Sequence, residues 1–155
     1  MKQEQYIYVD EDGNKFYYKD RAMTIRHRLD GPAIDYNTSG SKVWFVNGKL
    51  HRLNGPAVEW ADGSNLWYVD GKLHRLDGPA IKWANGSGEW FVSSKRHRLD
   101  GPAVEWANGS KEWWIDGKYL TEDQFNALTA LTIELTLEDI AAKFGVDVGK
   151  LKIVK

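Results

Sequence analysis

Apolar and polar residues alternate along most of this chain in short runs, and the runs come in pairs. Val58-Glu59-Trp60 is followed by Ala61-Asp62-Gly63, then by Leu66-Trp67-Tyr68-Val69 and Asp70-Gly71-Lys72. Val104-Glu105-Trp106 is followed in the same way by Ala107-Asn108-Gly109, then by Glu112-Trp113-Trp114-Ile115 and Asp116-Gly117-Lys118. β-Branched and aromatic residues at a period of two predict strands. Asp-Gly or Asn-Gly between them predicts a tight turn, because a type I′ turn needs positive φ. Each such stretch is expected to be an antiparallel β-hairpin.

The stretches are copies of one unit. His27-Arg28-Leu29-Asp30-Gly31-Pro32-Ala33 returns with small changes at 51–57, 74–80 and 97–103, at spacings of 24, 23 and 23 residues. All four His and all four Pro of the chain lie in this heptad. Pro bars a central-strand role there, so the heptad is expected to connect one hairpin to the next. Unit one is longer at Asn37-Thr38-Ser39-Gly40, and unit three has Ser93-Ser94 where the others have Asn-Gly or Asp-Gly. Residues 6–26 form a degenerate hairpin without the heptad, suited to cap the array, because terminal repeats are atypical. The expected fold is mainly β, an antiparallel meander of about five hairpins in a single or weakly curved layer.

After Lys118 the pattern changes. Thr121-Glu122-Asp123-Gln124 is a capping box, with Phe125 and Leu128 at helical spacing behind it, and predicts a helix over about 122–131. Residues 132–135 fit a strand or turn. A second helix is expected from Thr136-Leu137-Glu138-Asp139 to Gly145, and a strand within 146–154. Residues 121–155 thus read as a small α+β segment that caps the array at residue 120.

Composition sharpens this in one place. Eight of 155 residues are Trp. Trp44, Trp67, Trp90 and Trp113 share one position of the second strand, and Tyr36, Trp60, Trp83 and Trp106 share one position of the first. Each set is expected to stack along the array as its core, with equivalents about 10 Å apart. The formal net charge of −1 gives no reason to expect a nucleic-acid or membrane binder. There is no cysteine, no signal-peptide core and no run of membrane-spanning length. A soluble, cytoplasmic protein is expected.

Candidate chemistry is confined to the heptad. His27, His51, His74 and His97 repeat too far apart to share one ion, so no metal and no cofactor is expected. A catalytic site is one asymmetric constellation, whereas this polar set is copied four times, so an enzyme is not expected. Two readings remain for His and for Arg28, Arg52, Arg75 and Arg98. In one, they pin the loops, the arginines pairing with Asp30, Asp77, Asp100 or loop carbonyls. In the other, they form a basic ridge beside Trp44, Trp67, Trp90 and Trp113, able to hold a nucleotide phosphate or an acidic protein. The preferred function is non-catalytic binding of a protein partner. Sequestration of a nucleotide is the alternative, and hydrolysis by one His pair ranks behind both. No DNA-reading role is expected, because no basic recognition helix follows 137–146. Pairing of edge strands leaves a homodimer open.

The period, the hairpin units and the recurring Trp-Tyr-Val-Asp-Gly-Lys-Leu-His element at 67–74 resemble MORN repeats, in particular the YwqK-type variant of bacteria. The His-Arg-x-Asp-Gly-Pro-Ala form is similar to that of small tailed-phage proteins. The resemblance covers about 6–120. It departs from the usual pattern where Asp-Gly-Pro-Ala replaces a simpler Gly-x-Gly connection. It implies binding without naming a ligand. Its phage branch implies an inhibitor of a host defence or an antitoxin-like factor acting in the host cytoplasm.

Overall fold

Two kinds of turn shape each unit, and in unit two both are built from Asp-Gly. In Trp60-Ala61-Asp62-Gly63-Ser64 the N–H of Gly63 donates to Trp60 O and the N–H of Trp60 to Ser64 O, with φ of 92° at Gly63. That is a three-residue loop ending in a left-handed glycine, rather than the expected type I′ turn. Val69-Asp70-Gly71-Lys72 is the tighter form, with positive φ at both Asp70 (50°) and Gly71 (79°). Ser93 and Ser94 hold the same turn at φ 50° and 64°, so unit three keeps its second turn without glycine.

The computed structural model describes residues 5–133 together with Gly145 and Asp147. The chain divides after Tyr119 into two compact units. In the first, β1 (Tyr6–Val9) and β2 (Lys15–Tyr18) form the N-terminal hairpin. Unit one contributes β3 (Ile34–Asp35), β4 (Lys42–Val43), β5 (Phe45–Val46) and β6 (Lys49–Leu50). Unit two contributes β7 (Val58–Glu59), β8 (Asn65–Leu66), β9 (Tyr68–Val69) and β10 (Lys72–Leu73). Unit three contributes β11 (Ile81–Lys82), β12 (Gly88–Glu89), β13 (Phe91–Val92) and β14 (Lys95–Arg96). Unit four has β15 (Val104–Glu105), β16 (Lys111–Ile115) and β17 (Lys118–Leu120). The helix α1 (Glu122–Ile133) follows. Both arms of its capping box are made: Gln124 N–H donates to Thr121 Oγ1 (3.2 Å) and Thr121 N–H to Gln124 Oε1 (3.0 Å). The expected second helix and the strand within 146–154 lie outside the described residues.

The array is mainly β, an antiparallel meander of hairpins, but it is not one layer. Eleven strands form the main sheet in the order β1-β2-β3-β4-β7-β8-β11-β12-β15-β16-β17. The pairs β5/β6, β9/β10 and β13/β14 are separate short hairpins. Each begins just after Trp44, Trp67 or Trp90, where the ladder breaks. The registers sort the main-sheet side chains into two rows. One row runs Phe16, Ile34, Val43, Val58, Leu66, Ile81, Glu89, Val104, Glu112. The short hairpins turn back onto it: Phe45, Leu50 and Tyr68 pack on the core of Ile34, Val43 and Val58. The second row runs Lys15, Asp35, Lys42, Glu59, Asn65, Lys82, Gly88, Glu105, Lys111, with opposite charges on neighbouring strands from Lys15 to Glu59 and again at Glu105 and Lys111.

Successive units are also locked by side chains. Ser41, Ser64 and Ser87 are buried, and their hydroxyls accept the N–H groups of Ala61, Ala84 and Ala107 at 3.0, 3.0 and 2.9 Å. Each serine therefore satisfies a turn of the next unit.

Candidate functional site

The heptad folds the same way in every copy, and each residue has a distinct task. The terminal Ala (33, 57, 80 and 103) is fully buried, and its carbonyl accepts the N–H of Tyr17, Trp44, Trp67 or Trp90. That bond ties the loop to the preceding unit. The Arg folds back over the same residue: Arg28 lies 4.0 Å from the Tyr17 ring centroid, Arg52 3.8 Å from Trp44, Arg75 4.0 Å from Trp67 and Arg98 4.1 Å from Trp90. Stacking of this kind favours a cation on the ring quadrupole. Each guanidinium also donates to the heptad Pro carbonyl. Arg28, Arg75 and Arg98 donate through Nε to Asp30, Asp77 and Asp100 at 2.8 Å. Arg52, whose heptad has Asn54, pairs with Glu59 instead at 2.6 Å. Those arginines hold the three aspartates below the usual carboxylate range, through the hydrogen bond above all.

The glycine suits this packing. A Cβ at Gly31, Gly55, Gly78 or Gly101 would lie 2.8, 3.0, 3.0 or 3.2 Å from the guanidinium carbon of its own heptad's Arg, so a larger residue would make the arginine shift off its stacked position. Glycine leaves the arginine room to cross the loop.

The histidines lock forward. Nδ1 of His27, His51, His74 and His97 accepts the N–H of Asn47, Asp70, Ser93 and Asp116, each the first left-handed residue of the next tight turn. In His51 and His97 the same nitrogen also lies 2.9 and 3.1 Å from the carboxylates of Asp70 and Asp116. His27 differs. It is buried, its Nε2 has no partner among the described residues, and it faces Asn47, whose side-chain oxygen accepts from Lys19. Burial, then the Lys19 charge, depresses its pKa below the ordinary 6.5. The neutral ring is thus favoured in the fold. The stability His27 contributes is complete above the unfolded value of about 6.5 and is lost as pH falls through the lower folded one. An NMR titration of the four rings is expected to show His27 with a midpoint below 6.5; a midpoint above it would refute the assignment.

Trp44, Trp67 and Trp90 do not stack on one another. Each is half-buried and covered by a guanidinium, and no ring pair joins them among the described residues. The positions eight residues after them are Arg52, Arg75 and Arg98, whereas Thr121 stands eight after Trp113, over which no guanidinium lies among the described residues. The more exposed indoles are Trp60 and Trp83, from the first-strand set.

Between successive heptads lie three equivalent clefts of 620, 640 and 620 Å³. Trp44 with Val46, Trp67 with Val69, and Trp90 with Val92 line them in turn. The walls are the heptad loops, and on these stand Leu29, Leu53, Leu76 and Leu99, 73, 80, 81 and 58 % exposed. The sequence carried a signal for these leucines, an apolar residue inside a Gly-Pro loop, copied four times. Among the described residues no group of three or more His, Asp and Glu could hold a metal ion, and no helix is long and apolar enough to cross a membrane. No protein-family model matches the chain, and no curated protein matches it either.

Proposed function

We propose that this chain is a non-catalytic binding module that engages a protein partner along the heptad ridge. The four exposed leucines carry this reading. A loop position that is more than half exposed in every copy has no need of an apolar side chain for folding, and a polar one would keep it soluble. A row of such residues over repeated clefts is the signature of a contact surface. The polar groups support it from the other side. Each guanidinium is stacked and paired with a carboxylate, and each His Nδ1 takes a backbone N–H, so the ridge presents less free charge to a phosphate than its composition suggests. The likeness to MORN repeats, with which the hairpin array is compatible, points the same way, and its phage branch suggests an inhibitor of a host protein.

The test is a photo-reactive amino acid placed at Leu53, at Leu76 or, as an exposed control that lines none of the three clefts, at Trp60. A protein cross-linked in stoichiometric yield from the first two positions and not the third is expected. The variant Leu53→Asp/Leu76→Asp should lose that partner and keep its circular dichroism. Cross-linking as strong from Trp60, or retention of the partner by the variant, would remove the ridge from consideration. A nucleotide adduct in native mass spectrometry, lost in the variant Arg52→Ala/Arg75→Ala/Arg98→Ala while it stays folded, would favour sequestration.

A further inference from the structure

We infer that the occupant of the ridge is a proline-rich segment in the polyproline II conformation, with an apolar side chain at every third residue and basic side chains between. The inference rests on the ridge being a protein-binding surface and goes on to name what binds.

Spacing is the first ground. Consecutive clefts are separated by two main-sheet strands, which is about 9.6 Å at ~4.8 Å per strand. A polyproline II helix turns once in three residues and rises about 9.3 Å per turn. Its i, i+3 and i+6 side chains therefore meet all three clefts with an accumulated offset of about 0.6 Å. An extended strand presents one face every ~6.6 Å and falls out of register at the next cleft. Two turns of α-helix advance about 10.8 Å, which accumulates roughly 2.4 Å over the same two steps.

Hydrogen-bond chemistry is the second. A polyproline II segment has no internal hydrogen bonds, so its carbonyls need donors. The indole N–H groups of Trp83, Trp106 and Trp114 are taken by Glu89 and Glu112. Those of Trp44, Trp67 and Trp90, one in each cleft, donate to no acceptor among the described residues and are not buried away from solvent. Each of the three clefts is thus lined by a tryptophan whose donor is unused, and these donors recur with the period of the ligand's own backbone. Aromatic-lined grooves are the usual receptors of such segments.

Charge is the third. The guanidiniums of Arg28, Arg75 and Arg98 are only 21, 23 and 20 % exposed, whereas the carboxylates of Asp30, Asp77 and Asp100 are 76, 85 and 83 % exposed. The outermost charge beside the leucines is therefore negative and complements lysine or arginine on the occupant. Asn54 breaks that series at the second heptad, so the ridge is not charge-equivalent along its length.

The experiment is calorimetric titration of the full chain with a synthetic peptide of Leu-Pro-Lys triplets, beside one of the same composition in scrambled order and one with Glu for Lys. Saturable binding of the triplet peptide is expected, about tenfold or more tighter than either control. Leu53→Asp/Leu76→Asp should weaken it by a similar factor, with unchanged circular dichroism. Equal binding of the triplet and scrambled peptides, or no binding of the triplet, overturns the inference. The two levels separate cleanly. A partner cross-linked at Leu53 through a segment without the triplet pattern leaves the ridge a binding surface and removes polyproline II. Absence of any ridge-dependent partner removes both.

Discussion

Arg96→Leu is expected to cost about 3 kcal/mol of stability. Glu89 stands in the apolar row of the main sheet, between Ile81 and Val104. Its side chain is 7 % exposed, and Arg96 supplies two of its bonds, from Nε at 3.1 Å and Nη2 at 2.8 Å. Without Arg96 the carboxylate keeps only the indole N–H of Trp83 and remains out of water. A buried charge left without its partner costs several kcal/mol, and the lower end applies because Arg96 is itself 32 % exposed. The chain also contains the apolar alternative. One repeat earlier, the positions of Glu89 and Arg96 are Leu66 and Leu73. The double variant Glu89→Leu/Arg96→Leu should therefore lie within about 1 kcal/mol of the natural chain, or above it. Urea unfolding of both variants decides this. A double variant as unstable as Arg96→Leu alone would show that the pair supplies more than mutual neutralisation.

That comparison shows where the sequence was informative. The period, the strands, the capping box at Thr121 and Gln124, and the arginine and histidine pins all followed from residue type and spacing, because each depends on contacts within one unit or with its copy. The second layer did not. Asp62-Gly63 and Asp70-Gly71 look alike in sequence, yet one closes a three-residue loop in the main sheet and the other a two-residue loop folded onto it. The difference lies in which residues pair across the turn, and that is set by the sheet. The tryptophans were misplaced for a related reason. An aromatic residue at a strand position reads as core, and only the Arg eight residues later reveals that Trp44, Trp67 and Trp90 are covered by guanidiniums. The leucines at the loop tips were passed over because the heptad was read for its charged and ring side chains, although an apolar residue recurs in it four times.

The buried serines were equally silent, and they lead to the second expectation: Ser64→Ala and Ser87→Ala should each cost about 1 kcal/mol, while Ser110→Ala costs a few tenths. All four serines of the series follow a turn glycine, where a hydroxyl reads as ordinary turn chemistry. What distinguishes three of them is the unit that comes next. Ser64 is 2 % exposed and Ser87 1 %, and each hydroxyl accepts the N–H of an alanine twenty residues on. Removing the hydroxyl takes away the partner of that N–H in a part-buried bond, and because Ala84 and Ala107 are themselves exposed, water replaces part of what is lost. Ser110 has the same local turn and its own bond to Asn108, but it is exposed and no further heptad unit follows to present an alanine. The three substitutions are thus chemically identical and differ only in whether a neighbouring unit uses the oxygen. Thermal and urea unfolding of the set isolates the coupling between units from the stability of a unit itself. Equal losses at all three positions would mean that the serines act within their own turns, and that the ladder contributes nothing to holding the array together.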